Sequence, residues 1–325
     1  MSSPATTVPH RGVTTVLTLV VPLLILAASI LVVVAWLDEL PAEVATHWGT
    51  DGVDAVGPAS TMLATFGFIG SFVTVGLWAL ACFAGQAAMT RRFATGTAVW
   101  LAVFLGGLLV VTFDAQRGLA DARDAGDIGG GVVAVLGVAF AAGIAAGCLV
   151  PRDPARPATG ALPATTPTIP LDGDARAVWT RTVRQSTGWV VGLVAVVLAS
   201  AVALGAGTEW WAGLILAVGL APLFTLLRAD VVVDRRGLTA RTALPWPRLH
   251  VALDEVEDVA VVQVDPFGQF GGWGLRTGVD GSVGMVLRKG EGIEVRATGG
   301  RRVVVTVDDA TTGAALLATL AGRGR

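Results

Sequence analysis

The sequence predicts an α-helical membrane bundle of about six transmembrane helices, followed by a C-terminal all-β domain that one helix closes. Three observations predict it. Charged residues make up only 15% of the 325-residue chain and hydrophobic residues 53%, so polar surface cannot cover all of it and lipid must cover part. Long uncharged runs recur through the first 227 residues. From Asp230 onward the pattern switches to short Val-rich runs of alternating polarity, the period of half-buried strands.

The first run, residues 12–37, is long enough at about 1.5 Å per residue to cross a hydrocarbon core of roughly 30 Å. It ends in Trp36, Leu37, Asp38 and Glu39 instead of a small-residue cleavage site, so a retained span is expected and not a signal peptide. Pro22 is expected to kink it, which membrane helices tolerate. Further runs at 61–88, 93–113, 128–150, 187–207 and 210–227 complete the six, the last two as a tight hairpin with Glu209 beside Trp210 and Trp211 at its turn. The expected organisation is therefore a four-helix unit over 1–150 with an outside loop at 38–60, a cytoplasmic linker rich in Pro, Thr and Ala over 151–186, a transmembrane hairpin over 187–228, and a cytosolic β-domain over 229–325.

Cytoplasmic loops retain Lys and Arg. Arg11, the pair Arg91 and Arg92, the group Arg152, Arg156, Arg176, Arg181 and Arg184, and the group Arg228, Arg235 and Arg236 all fall on one side of the predicted spans. The first and fifth loops contain no basic residue, and the third holds Arg117 and Arg123 among four Asp. A multi-pass plasma-membrane protein with both termini in the cytoplasm is expected.

Seven strands are expected in DVVVD, LTART, LHVALD, VEDVAVVQV, VGMVLR, IEVRA and RVVVTV. Asp308 and Asp309 then precede a helix whose Leu316, Leu317 and Leu320 close one end of the sheet. Seven strands and a terminal helix in about a hundred residues resemble a pleckstrin-homology-like (PH-like) domain. FGGWGLR, MVLRKGEGIEV and RRVVVTVDD are similar to bacterial PH-like domains of actinobacterial membrane proteins.

The most unusual stretch is the outside loop LPAEVATHWGTDGVDAVGP, from Leu40 to Pro58. Thr50, Asp51 and Gly52 are turn formers, and His47 is within reach of Glu43 if the segment is helical. Two readings stay open. One makes Glu43, His47, Asp51 and Asp54 a cation or ligand site facing outside; the other makes His47 and Trp48 interface anchors on a structured loop, since one His without a second soft ligand is poor for a transition metal. Leu40, Pro41, His47, Gly52 and Asp54 resemble the domain of unknown function numbered 1648, the N-terminal module of SdpI-type membrane proteins. The resemblance covers the first helix, the loop and the second helix. It implies an immunity or signalling role in which a multi-spanning protein binds a cytoplasmic repressor.

In the β-domain, Phe267, Phe270, Trp273 and Arg276 form a candidate membrane or partner contact. The aromatics expose apolar area on a glycine-rich loop that can dip into lipid or dock on helices, or else they plug the barrel. From Arg228 onward thirteen basic residues face twelve acidic ones, so no strong attraction to anionic lipid follows from net charge.

Chemistry is excluded more firmly than it is assigned. The six runs contain no Asp, Glu, Lys, Arg or His, groups that ion-coupled transport needs despite a cost of roughly 2.5 to 3.5 kcal/mol each. HExxH, GxSxG and P-loop motifs are absent, and Cys82 and Cys148 lie in apolar runs without metal-ligand spacing. No catalytic residue, metal site or cofactor is expected. A net charge of -2 gives no basic stripe for nucleic acid. The partners expected are the lipid bilayer, a cytosolic protein on the PH-like domain, and further copies of the chain through its small-residue helices. A non-enzymatic sensing, signalling or immunity-like protein is the leading expectation. Pro222 in the sixth run motivates a permease-like or transporter-accessory alternative, and an exposed sheet edge a membrane assembly scaffold.

Overall fold

A computed structural model describes residues 8–49, 51–154, 156–172, 176–185, 188, 191–192, 194–195, 199, 228–242, 248–278 and 280–323. Val8–Arg152 forms one compact unit, and the described residues of 153–199 and 228–323 form a second.

Four helices of the first unit are long and apolar enough to cross a membrane: α1 (Arg11–Val34), α2 (Ala59–Phe83), α3 (Ala88–Asp114) and α4 (Gly129–Leu149). They match the first four expected runs. The fifth run, 187–207, falls mostly outside the described residues, and the sixth, 210–227, wholly outside. On the bundle surface Phe68 and Phe72 of α2 are each 70% exposed, which in water would be costly and in hydrocarbon is not.

Helix α3 is the bundle's centre. Ala94, Ala98, Ala102 and Leu109 have no exposure, because spacings of four and seven keep them on one face. Small residues bring its neighbours close. A Cβ on Gly143 of α4 would lie 2.7 Å from the Gly96 carbonyl oxygen, and one on Gly96 would lie 2.9 Å from that of Gly143, so α3 and α4 cross backbone against backbone.

Pro22 acts through local widening. Helix α1 runs as α-helix over Arg11–Thr15, as a π-turn over Val16–Val20, and as α-helix again over Val21–Val34. Proline lacks an N–H and its ring conflicts with the carbonyl four residues back, and a wider turn just before it relieves both problems. Within that turn the Thr18 hydroxyl meets the Thr95 hydroxyl of α3 at 2.6 Å, fully buried.

Arg91, read as a loop residue, lies inside α3 with no exposure. Its guanidinium donates to the carbonyls of Gly85 (2.6 Å), Gln86 (3.2 Å) and Pro151 (3.4 Å). It thereby joins the α2–α3 turn to the end of α4, and polar ends explain why the helix begins five residues before the uncharged run.

The second unit is β-rich. Strands β3 (Trp179–Arg184), β4 (Arg228–Asp234), β5 (Gly237–Thr242) and β6 (Arg248–Ala252) form an antiparallel sheet in that order. The other sheet contains β7 (Val256–Val264), β8 (Gly274–Thr277), β9 (Val283–Val286), β10 (Gly290–Ala297) and β11 (Arg301–Thr306) in the order β7-β10-β11-β9-β8, with β9 parallel to β11. Helix α6 (Ala310–Arg323) buries Leu316, Leu317 and Leu320 as expected, and a five-residue helix α5 (Pro266–Phe270) links β7 to β8.

Among the described residues of this unit nine strands stand where seven were expected. The two additions, β3 and β8, come from a Pro-rich segment and a Gly-rich segment whose compositions hid short runs. The segment 151–186, expected to be a linker, is fastened to the β-unit. Its β3 pairs along β4 from Trp179 opposite Val233 to Arg184 opposite Arg228. Asp153 lies 3.7 Å from Arg301, which also pairs with Glu255 at 2.7 Å, and Ile169 exchanges hydrogen bonds with Thr319 of α6.

Asp309 takes a left-handed backbone conformation, φ 58°. Its carboxylate accepts from the Thr312 hydroxyl (2.5 Å), from Trp179 Nε1 (3.3 Å) and from Arg181 (2.6 Å). Those bonds hold its pKa below the ordinary carboxylate range, with Thr312 foremost and Trp179 next. The acid expected to cap a helix therefore also ties β3 to that helix.

Candidate functional site

The loop after α1 is a β-hairpin. Strands β1 (Val44–Gly49) and β2 (Gly52–Gly57) pair antiparallel, with Trp48 opposite Val53, Gly49 opposite Gly52, and the register shifted on both sides of His47. Gly52 adopts φ 107°, open to glycine at little cost.

Gly49 is needed for a different reason. A Cβ there would lie 2.6 Å from the Asp54 carboxylate. Without it, Asp54 lies across the hairpin and its Oδ1 meets His47 Nδ1 at 2.6 Å. An ionised carboxylate only accepts, so His47 Nδ1 carries the proton and Nε2 is left for another partner. The helical pairing of His47 with Glu43 does not form, because the segment is extended and four residues at about 3.3 Å each carry the two side chains roughly 13 Å apart. Glu43 is exposed just before β1, and Asp51 is exposed in the turn. Among the described residues no three His, Cys, Asp or Glu side chains stand together in a way that could hold a metal ion.

The hairpin is clamped to the segment after α3. Gln116, with no exposure, accepts from the Ala45 N–H at 2.5 Å and donates to the Thr112 carbonyl at 2.8 Å. Arg117 pairs with Glu39 (2.8 Å) and Asp114 (3.0 Å), and its guanidinium stacks 4.5 Å from the centre of the Trp36 ring. Those carboxylates raise the Arg117 pKa above its ordinary value, Glu39 most. Trp48 Nε1 donates to the Gly126 carbonyl at 3.1 Å. Underneath, Val44 enters a core with Val33, Met62, Leu109 and Phe113.

Between hairpin and helices lies a cleft of about 630 Å³. Thr46, His47, Trp48 and Val56 form its hairpin wall; Met62 and Phe66 of α2 and Leu108 and Thr112 of α3 form the other. Its walls are apolar with a few hydroxyls, and the His47–Asp54 pair stands at the hairpin side. Such a surface suits a ligand with an apolar body and one group that hydrogen-bonds. Sequence reasoning found His47 and Asp54 through their unusual loop. It missed Gln116 and the cleft's helical wall, whose residues read individually as ordinary span positions.

The second candidate set is divided by the structure. Phe270 is 6% exposed and packs with Val264, Val286 and Val304, which corrects its assignment as a contact residue: it plugs the β-unit. Phe267 is 60% exposed and meets Trp273 edge to face at 4.6 Å between ring centres. Arg276 is exposed and donates to the Trp273 carbonyl at 3.0 Å.

Together these features define a membrane-embedded protein with a hairpin-bearing helical unit and a β-rich region. A family model described as a domain of unknown function, DUF1648, matches residues 24–70, which include the last part of α1 from Leu24, the whole hairpin and the first half of α2. No curated protein and no solved structure matches the chain.

Proposed function

We propose that the chain is a non-enzymatic bacterial plasma-membrane protein of the sensing, signalling or immunity-like kind. In this reading it has six spans and cytoplasmic termini, the hairpin cleft is an outward-facing ligand site, and the β-rich region is a PH-like domain that engages a cytosolic protein. The observation that carries the reading is the cleft of about 630 Å³ beside His47, whose ring Asp54 orients. The ligand site is formed by a hairpin clamped to a distant loop, so occupancy changes the relation of α1 to α3. Small shifts at such a packed junction pass to rigid helices.

The test has two parts. In a chain lacking its native cysteines, single Cys residues at the exposed positions Asp51 and Arg123 are expected to react with an impermeant reagent on intact cells, whereas those at Thr165 and Thr311 stay unreactive. Cells carrying His47→Ala or Asp54→Ala at equal membrane abundance are expected to lose the response or protection that deletion of the whole protein removes. The reverse labelling pattern, or wild-type behaviour of both variants, overturns the reading.

A further inference from the structure

The surface between β7 and β8 holds two aromatic rings outward on a rigid platform. Asp265 precedes α5 and accepts from the N–H groups of Phe267 (3.1 Å) and Gly268 (3.3 Å). Gln269 reaches back to accept from the Asp265 N–H at 3.1 Å, completing a reciprocal cap. At the other end Gly271 and Gly272, with φ 66° and 135°, turn the chain so that their N–H groups bond to Phe267 and Pro266. Phe270 roots the helix in the core. A five-residue helix is unstable alone, so these devices together fix what its outer side presents.

What it presents is Phe267, more than half exposed, braced by Trp273. Two cations lie beside this segment: Arg276, which donates to the Trp273 carbonyl, and Lys289, 78% exposed and 3.4 Å from Asp265 at the start of α5. Large aromatics with a cationic margin match the boundary between headgroups and acyl chains, where apolar rings insert shallowly and Arg or Lys meets phosphate. The chain itself supplies that boundary. Helix α4, long and apolar enough to cross a membrane, ends at Leu149, and Asp153 four residues on already pairs with Arg301 of β11, so the β-unit is tethered at a bilayer and local concentration, in the millimolar range for a short tether, makes even a weak contact effective.

We propose that the Phe267–Trp273 knuckle is a lipid-docking site, which inserts into the headgroup region of the membrane that carries the chain. Phe267 and Trp273 supply insertion, and Arg276 supplies a preference for anionic headgroups. Net charge over the whole region is uninformative here because the contact is local. The proposal is independent of the hairpin cleft.

The test uses the full chain, with Cys82→Ala and Cys148→Ala, in lipid nanodiscs. Gly268→Cys provides the probe position, since a Cβ there would meet nothing closer than 3.7 Å, and it is labelled with an environment-sensitive fluorophore. Lipids bearing a nitroxide near the headgroup are expected to quench the probe at least about two-fold. Phe267→Ser with Trp273→Ser should abolish quenching while the thermal unfolding midpoint holds; Arg276→Gln should reduce it only in anionic nanodiscs. Absence of quenching in both neutral and anionic nanodiscs overturns the proposal, and so does quenching that persists in a folded double variant. An unquenched probe that cross-links in cells to a soluble protein assigns the knuckle to a protein partner and overturns it too.

Discussion

Gln116 shows how much a single buried amide controls. It satisfies the Ala45 N–H on the hairpin and caps the Thr112 carbonyl on α3, so one side chain bridges segments 71 residues apart. Leucine nearly matches its volume but offers neither donor nor acceptor. Gln116→Leu is expected to leave two buried backbone groups unpaired at about 1–3 kcal/mol each. Amide exchange at Ala45 should accelerate by at least roughly tenfold, since 1.4 kcal/mol corresponds to one decade, and wild-type protection there would refute the clamp. Asp54 works differently: its carboxylate meets His47 and occupies the space that Gly49 leaves. In the proposed reading its effect is on recognition, because an exposed pair of this kind contributes little to folding.

At the scale of elements, close approach matters more than hydrophobicity. Every helix of the bundle is apolar, so apolarity cannot select partners in lipid, and shape must. Gly96 and Gly143 let α3 and α4 touch through their backbones. Gly143→Val would force the helices apart or the side chain off its rotamer, at about 1–3 kcal/mol or more. The expected result is a lower unfolding midpoint in detergent and faster proteolysis near the α3–α4 connection. A midpoint equal to wild type would show that the crossing is loose. Strand β3 makes the corresponding point for the β-unit: WTRTVR pairs with a strand that begins at Arg228, and Asp309 pins its first half.

For the whole β-unit, acid acts in two separate windows. Burial, with Arg248 next, lowers the His250 pKa below the ordinary histidine range, against weaker pulls from Glu255 and Asp234. The unfolded chain therefore takes up that proton first, and stability falls as pH drops below about 6.5 toward the lowered folded value. Carboxylates act later. Asp280 and Asp309 have folded pKa values below the ordinary range: in Asp280 burial pulls upward but the Ser282 bonds and Arg302 prevail, and in Asp309 the Thr312 bond leads. Their contribution is complete above about pH 4 and is lost as pH falls through their lowered values. His250→Gln is expected to flatten the decline of the β-unit's thermal midpoint below about pH 6.5 while leaving the acid limb unchanged. An unaltered slope would place the earlier decline elsewhere.

Much of this protein was legible without coordinates. Hydropathy and residue period are one-dimensional properties, so the first four spans, seven of the nine strands and the closing helix follow from their own residues, and the unusual composition of Leu40–Pro58 marked the hairpin for attention. Only the tertiary structure decided who meets whom. It gave His47 the partner Asp54 in place of Glu43, set Gln116 beneath the hairpin, turned a Pro-rich segment into an edge strand, and sent Phe270 inward while Phe267 faces out. The physical reason is the same in each case: these outcomes depend on contacts between residues distant in sequence or on a backbone bend of one residue, and neither leaves a periodic trace in the chain.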